Sequence, residues 1–259
     1  QSHLKLVGIP FDDQGMNAEA LRAQCERQPP RMVYLTPEQN NPTGAVLSAE
    51  RRDAIVALAR KYDFWLLEDG VQYLPVEQRL TPLYCLAPER TLFVFSTAKV
   101  LAGGLRIGVL RAPPVLLERL TQTLRAQSWM VPPLLVDVAC HWVNMASARE
   151  VMDWQSQELQ SRQIMAAEML AGFTLQAREG GSNLWLMLPE GFRAVAFSEQ
   201  LKARGVLVTS AEPFCVGSAP APQAIRLCLG AAQDQDTLGR ALQILLECLR
   251  AGPLASPTL

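Results

Sequence analysis

One lysine-bearing stretch carries the residue types best suited to covalent chemistry. An apolar run of strand character, residues 92–95, leads to Ser96 and, three positions later, to Lys99. Arg106 follows a Gly-Gly pair, and a second apolar run covers residues 107–110. A lysine between two buried strands is desolvated and loses its proton more readily, as Schiff-base formation requires, and a nearby hydroxyl and arginine suit a phosphate. The alternative is a surface turn with two ordinary basic residues.

Two further polar residues follow predicted strands. Asn41 lies in a loop rich in turn formers, residues 37–44, that comes after a strand at residues 31–36. Asp69 comes directly after a strand at residues 64–67. In an open α/β sheet, ligands collect at the carboxyl ends of the strands. We therefore expect an amide, a carboxylate and a lysine to meet at one edge of the sheet.

Strands and helices alternate in the part of the chain that must position these residues. Residues 4–9 resemble a strand, Asn17 is a helix cap for residues 18–25, and Ser48 is a cap for an amphipathic helix that reaches residue 62. The strand–helix–strand order of residues 31–67 predicts a parallel pair buried on both faces. Further helices are expected over residues 115–126, 133–145 and 148–169.

The last third of the chain changes to shorter segments. Strands are predicted at residues 183–188, 206–209 and 224–229, with helices at residues 197–204 and 237–249. This pattern indicates a small α+β domain after an α/β domain that has a mainly parallel sheet and helices on both faces.

Composition excludes several classes of protein. Of 259 residues, 49% are hydrophobic and 19% are charged, with a net charge of −1, which is ordinary for a globular protein and unlike a nucleic-acid-binding surface. The six cysteines form no closely spaced pair, which favours reduced thiols over a disulfide framework or a zinc site. No apolar run is long enough to cross a membrane, and we expect a cytoplasmic protein.

The motifs, taken in order, resemble a known family. Asn40-Asn41-Pro42-Thr43-Gly44, Glu68-Asp69, Ser96-x-x-Lys99 and Gly104-Leu105-Arg106-Ile107-Gly108 resemble the fold-type I, pyridoxal-phosphate-dependent aminotransferases of class I and II. Other segments are similar to the aminotransferase-like half of the MocR subfamily of GntR transcriptional regulators: Thr36-Pro37-Glu38-Gln39, Ala87-Pro88-Glu89-Arg90-Thr91, Trp129-Met130-Val131-Pro132-Pro133 and residues 224–231.

This resemblance implies a role for each matching residue. Lys99 would bind pyridoxal 5′-phosphate as a Schiff base, and Asp69 would hold the pyridine nitrogen protonated. Asn41 would donate to the phenolic oxygen, and Val71 would pack on one face of the ring. Ser96 and Arg106 would bind the phosphate. In the small domain, Arg226 would bind the carboxylate of an amino acid.

Three positions depart from the family pattern. Gln72 stands where the family has a tyrosine, with Tyr73 one position late, Ala98 replaces a serine and Gly103 replaces a proline. The first two changes remove polar contacts to the cofactor or the substrate. We therefore expect binding to be retained more readily than turnover.

The resemblance also implies a division into domains. Residues 1–146 would be the remaining part of the large cofactor-binding domain, residues 147–250 a connecting helix and the small domain, and residues 251–259 a flexible tail. The first part of the aminotransferase fold and a DNA-binding winged helix would be absent. We expect exposed apolar surface, and with it either a homodimer that covers this surface or a weakened or empty cofactor site.

Three functions stay open at this point. In the first, the chain is the effector-binding and dimerisation domain of a MocR-type regulator. This domain would sense a small amino acid or amine and would reach DNA only through a winged helix elsewhere. Alternatively, it is a class I/II aminotransferase, or a dimerisation module without cofactor. Gln72 and the cysteine-containing strand of Arg226 favour the regulator.

Overall fold

The computed structural model describes residues 4–72, 74 and 76–253, the side chains of residues 76, 146 and 147 excepted. Contacts divide the chain into two compact units. The sheet unit contains residues 9–40 and 45–156, and the C-terminal unit contains residues 1–8, 41–44 and 157–259. The domain bounds expected from the sequence stay a prediction.

The sheet unit begins with a short hairpin, β1 (Phe11–Asp12) and β2 (Gly15–Met16). Its main sheet contains β3 (Met32–Leu35), β4 (Trp65–Asp69), β5 (Thr91–Ser96) and β6 (Gly108–Arg111), in that order. The pairs β3–β4 and β4–β5 are parallel, as predicted for the first pair, and β5–β6 is antiparallel. The carboxyl ends of β4 and β5 therefore lie side by side.

The helices start where the capping residues predict. The Asn17 side chain accepts a hydrogen bond from the Ala20 amide at 2.9 Å, and Ser48 accepts one from the Arg51 amide at 3.4 Å. These residues cap α1 (Ala18–Arg27) and α2 (Ala49–Tyr62). The remaining helices that begin in this unit are α3 (Leu83–Leu86), α4 (Pro114–Ser128), α5 (Pro133–Asn144) and α6 (Ala146–Met169).

One core holds the sheet unit together. Leu21 of α1, Ile55 of α2, Leu66 of β4 and Leu83 of α3 are fully buried in the same apolar cluster. The other face of β3 is open, because Met32 and Tyr34 are 44% and 56% exposed. The prediction of burial on both faces is therefore wrong for β3, since α1, α2 and α3 pack on the face that Val33 and Leu35 share.

The C-terminal unit is built on a second sheet, which is antiparallel throughout and has the order β7–β8–β10–β9. Leu186 of β8 and Ile225 of β10 face a core that includes Phe197 and Leu245. The elements of this unit are β7 (Leu175–Ala177), β8 (Asn183–Met187), α7 (Ala194–Ala203), β9 (Thr209–Ser210), β10 (Ala224–Cys228) and α8 (Gln235–Ala251).

Some predicted elements are wrong. Residues 4–9 form no strand within the described chain, and Leu4 and Leu6 are 75% and 71% exposed, because a strand needs a partner that local sequence does not specify. The apolar run of residues 107–110 forms a strand only from Gly108 onward, where β6 begins, since Arg106 just before it has the left-handed φ of 53°. Strand β9 covers only the end of the predicted segment 206–209, and β7 was not predicted. Residues 254–259 of the predicted tail lie outside the described residues.

Candidate functional site

The carboxylate of Asp69 is held at the end of β4 by two neutral donors. Its Oδ1 accepts a hydrogen bond from the Val71 amide at 3.1 Å, and its Oδ2 accepts one from the Tyr34 hydroxyl at 2.6 Å. No cation of the described residues pairs with this carboxylate. Asp69 is therefore oriented without being neutralised, which suits a cationic or N–H-bearing ligand.

The turn after Asp69 has no room for a side chain. The Gly70 amide donates to the Val94 carbonyl of β5 at 2.8 Å. A Cβ at Gly70 would lie 2.5 Å from the ring of Phe93. Glycine at this position lets β4 end tightly against β5, and so places the Asp69 turn beside the end of the neighbouring strand.

The end of β5 is closed into a loop by two hydroxyl residues. The Ser96 hydroxyl accepts from the Ala98 amide at 3.2 Å and donates to the Ile107 carbonyl at 3.3 Å. The buried Thr97 donates to the same carbonyl from its amide at 3.1 Å and from its hydroxyl at 3.2 Å. These hydrogen bonds hold the two ends of the loop of residues 97–107 together. We name this segment the lysine loop.

The lysine loop carries two cations that have no partner in the described part of the chain. Lys99 and Arg106 are exposed, and neither makes a hydrogen bond or ion pair with any described residue. The expectation that Lys99 is buried between two strands is wrong, because it lies in a turn beyond β5 where the neighbouring Val100 takes the buried position. An amine and a guanidinium in one short loop are free to bind an anion or an aldehyde.

Other predicted residues of this unit have modest roles in the structure. Val71 is half-buried and contributes its amide to Asp69. Gln72 is half-buried at the position where the family pattern has a tyrosine. Tyr73 lies outside the described residues.

In the C-terminal unit, Arg226 is held by three neighbours. Its Nη1 donates to Asn41 Oδ1 at 2.9 Å, and its Nη2 donates to Thr209 Oγ1 at 3.4 Å. The guanidinium carbon lies 5.1 Å from the centre of the Phe214 ring. The Nε atom is buried and has no hydrogen-bond partner among the described residues. Nη1 and Nη2 each carry a second N–H, so this side chain is placed but still has donor capacity for a carboxylate.

Asn41 reaches Arg226 because residues 41–44 belong to the C-terminal unit. Gly44 has a φ of +76°, and a Cβ there would lie 2.7 Å from the Arg178 amide nitrogen. This glycine allows the loop to lie against residues 177 and 178. The loop that presents Asn41 is thus fixed by a close backbone approach.

Sequence reasoning missed Tyr34, Thr209 and Phe214. No local pattern marks Tyr34, since its partner Asp69 is 35 residues away. Thr209 is the β9 neighbour of Arg226 in the sheet register. Trp185, the β8 neighbour of Arg226, is buried and packs edge-on against Phe214 at 6.4 Å, which makes it a core residue of this unit.

The structure brings the predicted residues together in two groups. Asp69 and Ser96 lie at the ends of adjacent strands, followed by the lysine loop with Lys99 and Arg106. Asn41 and Arg226 bond to each other within the C-terminal unit. The convergence of Asn41 with Asp69 and Lys99 stays a prediction.

A cavity of about 610 Å³ lies beside the lysine loop. Phe95, Val100 and Leu101 line it from the sheet side, and Ala148, Arg149 and Met152 of α6 are among its other walls. None of the predicted site residues lines it. We therefore assign this cavity no part in the site.

The described residues exclude two other kinds of site. They contain no cluster of three His, Cys, Asp or Glu side chains able to hold a metal ion. No helix in this part of the chain combines the length and apolar character needed to cross a bilayer.

Comparison with known proteins identifies a family. Residues 2–245 match the family described as aminotransferase class I and II. The chain is 27% identical over 246 residues to an uncharacterised HTH-type transcriptional regulator of Bacillus subtilis, YdeF, with 95% of this chain and 53% of that protein covered. It is 25% identical over 225 residues to aromatic-amino-acid aminotransferase 1 of Thermococcus litoralis, with 81% of this chain and 54% of that protein covered.

A solved structure shows the same fold. The α-aminoadipate aminotransferase of Thermus thermophilus, complexed with N-(5′-phosphopyridoxyl)-L-leucine, superposes with a TM-score of 0.84 at 22% identity, covering 95% of this chain and 66% of that one. The chain spans about half the length of the curated relatives it matches. By fold and by family match, the chain belongs to the class I and II aminotransferase family and has the fold-type I architecture of pyridoxal-phosphate-dependent enzymes.

Proposed function

We propose that this chain is the effector-binding domain of a MocR-type transcriptional regulator of the GntR family. In this proposal it binds pyridoxal 5′-phosphate and senses a small amino acid or amine. The similarity to HTH-type regulators over most of the chain supports the regulatory role. DNA binding would belong to a winged-helix domain outside these residues.

The donor set of the sheet unit fits the cofactor. Pyridoxal phosphate offers an aldehyde, a dianionic phosphate and a basic ring nitrogen, and when bound it serves as an electron sink. Lys99 would take the aldehyde, and Arg106 with Ser96 would bind the phosphate. The Asp69 carboxylate would bind the ring nitrogen, and Val71 would pack against the ring. The role of Asn41 at the phenolic oxygen stays a prediction.

The observation that carries the proposal is the lysine loop. An amine and a guanidinium that have no partner among the described residues follow a strand whose neighbour ends in an oriented carboxylate without a cation partner in the same part of the chain. Some surface cations of this chain, such as Arg60 and Arg204, have carboxylate partners, whereas others, such as Arg119, have none among the described residues. The lysine loop differs from these surfaces because its cations follow a strand that lies beside the Asp69 carboxylate. The loop is thus left charged for a ligand that brings an anionic group and an aldehyde.

Effector binding is assigned to the C-terminal unit. Arg226 retains one unused N–H on each of Nη1 and Nη2 beside Asn41 and Thr209, and two such donors would bind a carboxylate. An α-amino acid would supply that carboxylate. Binding of the effector would then change the equilibrium between arrangements of the regulator rather than lead to product.

The test of the cofactor is an absorbance titration of the purified chain with pyridoxal phosphate. We expect a new band near the edge of the visible range in the wild-type chain and in Lys61→Ala, because Lys61 lies exposed on α2. Lys99→Ala should lack this band. A band in Lys99→Ala equal to that in Lys61→Ala would contradict the assignment of Lys99. Absence of the band from the wild-type chain would favour a dimerisation module without cofactor.

Aminotransferase activity is the second candidate, and the similarity to aminotransferases along most of the chain supports it. Mixing the cofactor-loaded chain with a panel of amino acids and an oxo-acid acceptor separates the two functions. A sensor should give a single spectral change without continued product. Steady amino transfer would replace the regulator proposal with an enzyme.

A homodimer is part of the proposal, since apolar side chains are exposed on helices of the sheet unit. No residue of α4 is buried, and Val115 is 77% exposed. Leu134 on α5 is 73% exposed. Apolar surface of this extent is typical of an interface. Sedimentation velocity should give a mass twice that of the chain, and a monomer at all concentrations would contradict it.

A further inference from the structure

We propose that Tyr34 is a positioning residue for Asp69, whose hydroxyl fixes the carboxylate in the orientation that receives a ring nitrogen. This inference rests on the proposed function, because it concerns how Asp69 meets the cofactor.

The sheet register brings the two side chains together. Tyr34 of β3 pairs with Leu67 of β4, and Asp69 lies two residues further along the same strand. Alternate residues of a strand share a face, so Tyr34, Leu67 and Asp69 lie on one face of the sheet. The Tyr34 hydroxyl then donates to Asp69 Oδ2 at 2.6 Å.

The two donors to Asp69 act on different oxygens. The Val71 amide, two residues along the chain, donates to Oδ1, whereas the Tyr34 hydroxyl donates to Oδ2. A single donor would leave the carboxylate free to rotate about its Cβ–Cγ bond, and two donors on opposite oxygens fix its plane. Each oxygen keeps a second lone pair for a ligand.

Both donors are neutral, which preserves the charge of Asp69. An arginine or lysine in place of Tyr34 would orient the carboxylate equally well but would compete with a protonated ring nitrogen for it. Desolvation, and then the hydrogen bond and the charge of Asp69, raise the pKa of Tyr34. The phenol therefore keeps its proton and remains a donor throughout the neutral range.

Removal of the hydroxyl leaves the fold in place. Tyr34 is 56% exposed on the open face of β3, so Tyr34→Phe creates no cavity. Tyr62 on α2 offers a matched control, because its hydroxyl bonds to no described residue. Tyr62→Phe thus removes a tyrosine hydroxyl from the same unit without touching Asp69.

The first experiment uses the chain without cofactor. Carbon-13 labelling of the tyrosine rings and a pH titration followed by NMR should show one tyrosine that ionises at higher pH than the others, and Tyr34→Phe should remove that signal. Asp69→Asn should move its ionisation to lower pH, because the neighbouring charge is gone. A Tyr34 signal that does not respond to Asp69→Asn would overturn the inference.

The second experiment adds pyridoxal phosphate labelled with nitrogen-15 in the ring. We expect Tyr34→Phe to bind it about three- to tenfold more weakly, the usual effect of one hydrogen bond. The ring-nitrogen signal should also move toward the unprotonated value, while Tyr62→Phe matches the wild-type chain. An unchanged affinity and nitrogen signal in Tyr34→Phe overturns the positioning role alone. A wild-type chain that binds no cofactor contradicts the proposed function, and the tyrosine titration then still decides whether Tyr34 holds Asp69.

Discussion

The two units treat their functional cations in opposite ways. In the C-terminal unit, Arg226 is bonded to Asn41 and Thr209 and lies over the Phe214 ring. In the sheet unit, Lys99 and Arg106 are exposed and touch no partner among the described residues. Arg226 is therefore held in place before any ligand binds, whereas no described side chain holds Lys99 or Arg106.

This difference has an energetic meaning. Fixing a long side chain before binding removes the entropy cost of ordering it later, about 0.5–1.5 kcal/mol per side chain. For Arg226, the entropy cost of ordering the side chain is already included in the folding of the C-terminal unit. Lys99 and Arg106 meet it only when the ligand binds, so their contribution to the stability of the free chain should be small.

The contrast between the two units depends most strongly on Gly44, which lets the Asn41 loop lie close to residues 177 and 178. Gly44→Ala combines a φ of +76° with a contact of 2.7 Å to the Arg178 amide nitrogen. We expect a loss of about 3 kcal/mol in the free energy of unfolding of this unit, measured by denaturant titration.

The control for Gly44 is Gly205, which has a similar φ of +83° but no atom within 4 Å of an added Cβ. Gly205→Ala should cost about 1 kcal/mol, since only the backbone conformation opposes it. Equal losses in the two variants would show that the close approach at Gly44 contributes nothing.

Two neighbouring carboxylates of β4 differ in their surroundings, because Glu68 points into the core and Asp69 does not. The buried one predicts a pH dependence of the stability of the fold. Burial raises the pKa of Glu68 to about 7, against the hydrogen bonds from the Leu83 and Tyr84 amides. A raised acid pKa means that the folded chain holds the proton more tightly than the unfolded chain does. Stability is then fully present below the unfolded pKa of 4.5 and is lost as pH rises through about 7.

We therefore expect unfolding free energy to fall by about 1–3 kcal/mol between pH 5 and pH 8. Glu68→Gln should flatten this slope, whereas Glu118→Gln, an exposed change on α4, should leave it intact. A slope that survives in Glu68→Gln would assign the pH dependence to another group.

Alanine substitutions test the two kinds of cation directly. Arg226→Ala should lower the free energy of unfolding by about 1–2 kcal/mol, because Asn41 and Thr209 lose their partner and Phe214 loses its cation. Lys99→Ala should change it by less than about 0.5 kcal/mol. Thermal unfolding without ligand measures both, and a loss in Lys99→Ala as large as that in Arg226→Ala would remove the distinction.

The smallest expected effect is a gain. Arg106 holds a left-handed φ of 53°, which costs a residue with a side chain more than it costs glycine. Arg106→Gly should raise the free energy of unfolding by about 0.5–1 kcal/mol while weakening pyridoxal phosphate binding. Arg106→Ala, which removes the charge but keeps the strained backbone, should weaken binding without that gain. Equal stability of the two variants would show that the backbone is unstrained.

Local sequence predicts those parts of the molecule that depend on local physics. Asn17 and Ser48 specify the starts of α1 and α2, because a side-chain acceptor before an apolar periodic segment is sufficient to cap a helix. The parallel pairing of β3 and β4 follows from the helix between them. The positions of Asp69 and Ser96 at adjacent strand ends follow in turn.

The remaining features depend on contacts between distant residues. Arg226 and Asn41 are 185 residues apart, and only the folded chain shows that they bond. The exposure of Lys99 was mispredicted because a lysine between two strands has the same local pattern whether its turn is covered or open. The role of the Tyr34 hydroxyl cannot be predicted from local sequence either, because an exposed tyrosine in a strand does not by itself indicate a function.

The loop of residues 41–44 has a practical consequence for anyone who wishes to dissect this protein. The residues on either side of the loop belong to the sheet unit, and the loop itself belongs to the C-terminal unit. A recombinant fragment that starts at residue 157 would keep Arg226 but leave Asn41 behind. Chimaeras between relatives should therefore exchange this tetrapeptide together with the C-terminal half, as a single transplantable module.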